Sequence, residues 1–111
     1  MYNSKTYYGK ASLDEKDLEE TSINYKIELE YYGVEKDKNS YLKEDLTSYG
    51  IEIVKKEYKE EKVDIETNYI ENISDSSSKI IEIINTLKEH KVTPICLDDV
   101  LEDLLKQKMA E

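Results

Sequence analysis

The 111-residue chain contains no arginine, phenylalanine or tryptophan, and it has one cysteine, one proline and three glycines. All ten aromatic residues are therefore tyrosines, and the large apolar side chains are mainly isoleucine, leucine and valine. Because a buried phenol needs a hydrogen-bond partner, we expect an aliphatic core with tyrosine at its margins. The single cysteine, Cys96, excludes an internal disulfide.

Positive charge is scarce, since 16 lysines stand against 26 acidic residues and the formal net charge is −10. Nucleic-acid binding normally draws its affinity from a basic patch that neutralises phosphates, so direct binding of DNA or RNA is disfavoured. No apolar run approaches the roughly 18 residues of a membrane span, and the first residues do not resemble a secretory signal. The expectation is a cytoplasmic protein without a membrane segment. Three scattered glycines cannot assemble a phosphate-cradling loop, and no cofactor is expected.

The length of the chain leaves room for one domain. Residues 1–21 are weakly patterned, although their tyrosines could belong to one edge strand, and their order is left open. Residues 22–108 are expected to form a single α+β domain.

Alternating apolar and polar residues predict three strands. The clearest runs from Ile23 to Tyr31, and Gly33 then opens a polar stretch that predicts a loop or a short helix. In the second strand, residues 49–58, apolar side chains occupy both faces, which indicates either a strand covered on both sides or a bulge near Val54. Residues 59–62 then predict a hairpin to a third strand, residues 63–70.

Two helices are predicted after the strands. The serine-rich stretch 74–78 can cap a helix that ends near His90 or Lys91, and its isoleucines have helical spacing. Pro94 fits either the first turn of a second helix or a bend shortly before it. The second helix has an apolar stripe made by Leu97, Val100, Leu101, Leu104 and Leu105. Strands first and helices last predict an α+β fold, an antiparallel sheet of three or four strands followed by two C-terminal helices packed on one face.

Two segments carry a family resemblance: YGIEIVK at residues 49–55 and VTPICLDDVLEDLL at residues 92–105. Together they resemble an uncharacterised family of short cytosolic proteins from clostridia and related low-GC Gram-positive bacteria, a domain of unknown function. The resemblance covers roughly residues 22–106. It implies no activity and no functional residues.

Catalytic and metal sites find little support in the sequence. His90 and Cys96 are six residues apart across the predicted corner, but no third group orients them, and a small core residue is the expected role of Cys96. Asp98 and Glu102 would share one helix face, yet no calcium-loop pattern surrounds them. The four carboxylates of this helix are therefore expected simply to form its solvent-exposed face. No catalytic, cofactor or metal residue is therefore predicted.

Tyrosine and acidic side chains are the candidate interface residues. Tyr25 and Tyr31 are predicted to face inward, whereas Tyr32 and Tyr58 are predicted to face the other way, where a stiff amphipathic ring suits a protein interface. The predicted interface residues are Tyr32, Tyr58, Asp98, Asp99, Glu102 and Asp103.

These patterns favour a small non-enzymatic protein-interaction module, an adaptor or regulator with an unidentified protein partner. The alternative is an acidic inhibitor or nucleic-acid mimic that binds a basic protein surface, which would give salt-sensitive binding. An enzyme ranks third. A homodimer is compatible with all three, because an uncovered sheet edge can pair with its copy.

Overall fold

The computed structural model describes residues 4–13, 25–37 and 47–109. Its elements are β1 (Ser4–Leu13), β2 (Lys26–Asp37), β3 (Thr47–Tyr58), β4 (Val63–Ser74), α1 (Ser77–Glu89) and α2 (Leu97–Met109). The strands form one sheet in the order β1-β2-β3-β4, with each neighbouring pair antiparallel. The predicted α+β fold is confirmed.

Strand β2 is longer than the sequence predicts. It contains the predicted inward residues Ile27, Leu29 and Tyr31, all buried, but it continues through Gly33 to Asp37. The prediction that Gly33 opens a polar loop is therefore wrong. A β-carbon at Gly33 would lie 2.7 Å from the ring of Tyr8, so the glycine makes room for that ring within the sheet.

Strand β3 has buried side chains on both of its faces, as the first of the two predicted alternatives requires, although α1 and α2 pack on only one face. Ile51 and Ile53 are fully buried on the helix side, while Glu52 and Val54, which point the other way, are also buried. The irregularity in its pairing with β4 lies between Tyr49 and Ile51 and not near Val54. The predicted hairpin is confirmed, and the backbone N–H of Lys59 donates to the carbonyl of Lys62 across it.

Both ends of α1 are capped by local hydrogen bonds. The Ser76 hydroxyl accepts from the backbone N–H of Lys79, in agreement with the predicted serine cap. At the other end Lys91 takes a left-handed conformation with φ 53°, and the N–H of Val92 donates to the carbonyl of Leu87 at 3.0 Å. Helix α1 ends at Glu89, close to the predicted position.

Helix α2 begins at Leu97, so Pro94 lies in the bend before the helix. Leu97 and Leu101 are buried, as the predicted stripe requires, and Val100, Leu104 and Leu105 pack partly buried against the same core.

The core lies between the inner face of the sheet and the two helices. Tyr31 is its one fully buried tyrosine among the described residues, and its hydroxyl donates to the Val92 carbonyl at 2.9 Å. Burial raises the pKa of the Tyr31 phenol far above its ordinary value, so this donor stays protonated. The core is otherwise aliphatic, formed chiefly by Leu29, Ile51, Ile53, Ile80, Ile83, Ile84, Leu87, Leu97 and Leu101.

Some predictions fall outside the described ranges: those on residues 1–3, 14–24 and 38–46, which include the start of the first predicted strand and most of the loop or short helix after Gly33. Among the described helices, none has the length and apolar character needed to cross a membrane.

Candidate functional site

The sheet face that points away from α1 and α2 is here called the outer face. Its membership follows from strand alternation and from the pairing registers, because directly opposed residues point to the same side. No described element covers it. From β1 to β4 it consists of Lys5, Tyr7, Lys10, Ser12; Lys26, Glu28, Glu30, Tyr32, Val34, Lys36; Ser48, Gly50, Glu52, Val54, Lys56, Tyr58; and Val63, Ile65, Thr67, Tyr69, Glu71.

The outer face is balanced in charge although the whole chain is strongly acidic. It has five lysines and four glutamates, whereas the whole chain has a net charge of −10. Each glutamate lies close to a lysine on another strand, which is the adjacent strand for Glu28 and Glu30 and the next strand but one for Glu52 and Glu71. The Nζ to carboxylate distances are 3.1 Å for Lys10 and Glu28, 3.1 Å for Lys56 and Glu30, 3.2 Å for Lys5 and Glu52, and 3.7 Å for Lys36 and Glu71. The excess negative charge therefore lies elsewhere on the molecule.

Three tyrosines cross the outer face in one row. Tyr7 is opposite Tyr32, Tyr32 is opposite Glu52, and Glu52 is opposite Tyr69. We call Tyr7, Tyr32 and Tyr69 the tyrosine row. With strands about 4.8 Å apart, the row spans about 14 Å. Tyr7 and Tyr69 are each 51% exposed at its two ends.

Contacts with Tyr7, Lys5 and Glu30 hold the Tyr32 side chain in one orientation. Its ring centroid lies 5.5 Å from that of Tyr7 with the planes tilted by 57°, and Lys5 Nζ lies 4.3 Å from the Tyr32 centroid. The Tyr32 hydroxyl donates to Glu30 at 2.8 Å. Burial, followed by this hydrogen bond, raises the pKa of Tyr32 to about 12, so the phenol is neutral at any ordinary pH.

Two carboxylates of the outer face, Glu28 and Glu30, are held ionised by their partners. Hydrogen bonds from Lys10 and then Tyr58 lower the pKa of Glu28 below its ordinary value. Burial alone would raise the pKa of Glu30, but the bonds from Tyr32 and Lys56 outweigh it and the pKa is lowered. The polar part of the face is thus a fixed network, which favours a preformed surface.

Over its first seven residues, 63–69, strand β4 directs its apolar residues outward, whereas Ile70 and Ile73 pack partly buried against the core. Val63, Ile65 and Tyr69 lie on the outer face and are exposed, with Ile65 60% exposed, whereas the helix side of the same strand has Asp64, Glu66 and Asn68. An alternating strand normally turns its apolar side to the core. Exposed apolar side chains collected along one strand are instead typical of an interaction surface.

The structure separates the predicted interface residues into two surfaces. Tyr32 and Tyr58 share the outer face, as predicted, but six positions apart along the strand register, with Tyr58 opposite Lys26 at the far end. The acidic residues Asp98, Asp99, Glu102 and Asp103 are exposed on α2, on the opposite side of the sheet. Two of these carboxylates have close polar contacts, since Glu102 lies 3.1 Å from Lys106 and Asp98 lies 3.4 Å from the Asn68 amide.

Two members of the tyrosine row, Tyr7 and Tyr69, were not predicted. Tyr7 lies in the weakly patterned N-terminal segment, which does not predict the face on which its side chains lie. Tyr69 ends a regular alternation of apolar residues, which is typical of the buried side of a strand. One sequence signal did indicate that Tyr69 points outward. The other side of that strand carries Asn68 and two carboxylates, which are unsuitable for burial in a core.

The His90 and Cys96 side chains line one groove of about 590 Å³ between the end of α1 and the start of α2. Cys96 is exposed, so its expected role as a small core residue is wrong. Within the described residues no hydrogen bond joins the two side chains, and the rest of the lining is largely apolar, with Val92, Val100 and Leu104. Across that same part of the chain, no three His, Cys, Asp or Glu side chains are grouped so that they could hold a metal ion.

Comparison with known proteins places the chain in a family without assigning an activity. No curated protein and no solved structure matches it. The family described as "Family of unknown function (DUF6514)" matches residues 10–107, which is most of the chain. The expected membership of an uncharacterised family is confirmed at this level, and the chain belongs to DUF6514, a family of unknown function.

Proposed function

We propose that the protein is a small non-enzymatic interaction module, an adaptor or regulator, that binds a protein partner on the outer face. One observation supports this most. The chain has a net charge of −10, yet one uncovered face of its sheet is balanced in charge and carries exposed tyrosines. Tyrosine supplies large contact area with few rotatable bonds, which lowers the entropy lost on binding.

Preorganisation strengthens this assignment. The central ring of the row, Tyr32, is fixed by Tyr7, Lys5 and Glu30 before any partner arrives. A partner therefore meets a surface on which the Tyr32 ring and the carboxylates of Glu28 and Glu30 are already held in place, so less conformational entropy is lost on binding. The partner that suits such a face presents aliphatic or aromatic groups with little net charge.

The acidic surface of α2 supports the alternative, an inhibitor that occupies a basic protein surface. All four of its carboxylates are exposed. Binding there would be driven by opposite charges and would weaken steeply with salt, whereas binding on the charge-balanced outer face would not.

The two proposals are tested by capture of proteins from a lysate of the source organism with immobilised protein at low and moderate salt. The Tyr7→Ser and Tyr69→Ser variants remove exposed rings at the ends of the row, and the matched control is Asp99→Asn with Asp103→Asn on α2. The outer-face proposal expects one partner, retained at both salts and in the α2 variant, whose retention falls at least tenfold with either tyrosine variant.

A partner that is lost at moderate salt and in the α2 variant, but kept by both tyrosine variants, would overturn the outer-face proposal and support the acidic inhibitor. Catalytic turnover of a small molecule abolished by Cys96→Ala would overturn the non-enzymatic assignment.

A further inference from the structure

The two edges of the sheet differ in how well they are protected against pairing with another strand. Strand β1 carries Lys5 and Lys10 and has a bulge between Tyr7 and Gly9, and both features hinder edge pairing. Strand β4 has no lysine and no proline over its 12 residues. Its pairing with β3 is regular from Val63 to Ile70 and becomes irregular only beyond that point.

A groove runs beside the open edge of β4. It has a volume of about 230 Å³ and is lined by Glu66, Thr67, Asn68, Pro94 and Ile95. Ile95 is 73% exposed, the largest exposure of any large apolar side chain among the described residues. The middle of the β4 edge is therefore flanked by an apolar side chain that would gain from being covered.

We propose that a second copy of this chain pairs with β4 along its free edge, antiparallel and about a two-fold axis that passes through Thr67. This goes beyond the proposed function, because it uses the free edge of β4 and Ile95, although Ile65 and Tyr69 on the β4 margin of the outer face also take part. An interface of this kind is isologous, so it closes after two copies.

The choice of Thr67 as the axis follows from charge. With this axis Ile65 is opposite Tyr69 of the second copy, Asp64 is opposite Ile70, and Glu66 is opposite Asn68. No two carboxylates are directly opposed, and all these rows lie in the regular part of the strand.

The neighbouring registers are less favourable. An axis at Glu66 opposes that carboxylate to its own copy, and an axis at Ile65 opposes Asp64 to Glu66. An axis at Asn68 opposes Ile65 to Glu71 and brings Asp64 opposite Asn72, where φ is 58° and the strand is irregular.

In the proposed dimer the exposed apolar residues of β4 cover one another. Ile65 and Tyr69 of each copy form two cross-strand pairs on the outer face, and the two Ile95 side chains lie beside the axis on the helix side. The eight-stranded sheet then ends in two protected β1 edges, which explains why pairing would stop at the dimer.

The dimer is tested by the mass of the full chain in solution, measured by light scattering on an eluting peak. The expected mass is twice the 13.0 kDa of one chain. Ile65→Lys, at a side chain 60% exposed in one copy, should give a folded monomer by circular dichroism. The matched control is Ile81→Lys, since Ile81 is an exposed isoleucine on α1 and should leave the dimer intact. A monomeric wild type, or a dimeric Ile65→Lys variant, would overturn the proposal.

The register is tested by oxidative cross-linking in a Cys96→Ser background. Opposed residues have β-carbons roughly 4.5–5.5 Å apart, near the range of a disulfide, so Thr67→Cys should cross-link to its copy. Ile65→Cys should not, because four residues separate the two copies of position 65 along the strand, about 13 Å. Cross-linking at position 65 without cross-linking at 67 would contradict the register.

Failure of the dimer and failure of the proposed function are separable. Tyr7 lies on β1, at the far edge of the sheet from β4, so Tyr7→Ser should weaken partner binding and keep the dimer mass. A Tyr7→Ser variant that is monomeric would count against the β4 edge as the contact.

Discussion

At the scale of single residues, Gly33 and Gly50 are required by the atoms beside them. A β-carbon at Gly33 would press on the Tyr8 ring, which is a side chain that can shift. A β-carbon at Gly50 would run into the backbone carbonyl of Ile70, at the point where the pairing of β3 with β4 becomes irregular. The first glycine therefore makes room for packing, and the second permits a close approach of two backbones.

Replacing each glycine by alanine should destabilise the fold to different degrees. We expect Gly33→Ala to lower the free energy of unfolding by about 1–3 kcal/mol, the usual cost of overpacking, and Gly50→Ala to lower it by more, because backbone yields less than a side chain. Urea unfolding followed by circular dichroism measures both. Equal and small losses would contradict the close approach at Gly50.

Ionisation of Glu28 predicts how stability varies with pH. Its folded pKa lies below the ordinary value of 4.5 because Lys10 and Tyr58 donate to the carboxylate. The stability that it contributes is therefore fully present above about pH 4.5 and is lost as the pH falls through the folded pKa. In Glu28→Gln the free energy of unfolding should fall less steeply between about pH 5 and pH 3 than in the wild type. The control is Glu60→Gln, exposed in the hairpin, and equal slopes in wild type and Glu28→Gln would be inconsistent with the network.

Single residues also show where sequence reasoning is limited. The inward placement of Tyr31 and the outward placement of Tyr32 follow from alternation, and the structure agrees. Exposure of Cys96 does not follow, because it depends on α2 beginning at Leu97, one residue after the cysteine. The outward placement of Tyr69 had a sequence signal, but the tyrosine row as a whole requires the registers of three strand pairs, which local patterns do not contain.

At the scale of elements, the end of α1 contains an unfavourable residue. Lys91 holds the left-handed position after the helix cap, where glycine is usual, and the hydrogen bonds of Lys91 to Lys88 and of Val92 to Leu87 complete the motif. A lysine there has the steric cost of its β-carbon.

Lys91→Gly should therefore raise the free energy of unfolding by about 0.5–1 kcal/mol, since glycine relieves the strain that lysine bears. The gain should outweigh a surface contact of the lysine, which is usually worth less than 1 kcal/mol. Thermal unfolding measures the change. The control, Lys106→Gly inside α2, should lower stability by about 1 kcal/mol, and a loss of stability in Lys91→Gly would contradict the assigned cap.

Element type was more predictable than element length. Both helices, the hairpin and the serine cap of α1 follow from periodicity and composition, and the structure agrees, whereas the left-handed cap at Lys91 does not follow from the sequence. Strand β2 is longer than predicted. In the sequence Gly33 looks like a strand breaker, but in the folded sheet the position beneath Tyr8 requires a residue without a side chain.

At the scale of the whole molecule, charge is unevenly distributed. The chain carries −10, yet the outer face is close to neutral, so the remaining surface is more acidic than composition alone suggests. Two copies that approach each other therefore repel at long range, while the proposed contact along β4 pairs apolar side chains on the outer face and opposes no two carboxylates.

Self-association should thus strengthen with salt. Raising the salt from low to moderate concentration screens the repulsion between the two copies and should increase the dimer fraction, measured by sedimentation equilibrium. A dimer that dissociates as salt rises would indicate that opposite charges hold it, contrary to the β4 register.

The fold class was predictable because strands precede helices and the chain has room for one core. The proposed function could not be predicted in the same way. The outer face that supports it is assembled from four strands, and its side chains are of ordinary types in an unusual grouping.

The measurement that tests the central claim most directly is the NMR response of tyrosine rings to the captured partner. With selective ring labelling, the only aromatic signals are those of ten tyrosines and one histidine, because phenylalanine and tryptophan are absent. Binding on the outer face predicts the largest shifts at Tyr7, Tyr32 and Tyr69, with the core residue Tyr31 unchanged. Saturating partner that leaves all three rings of the tyrosine row unshifted would contradict the account.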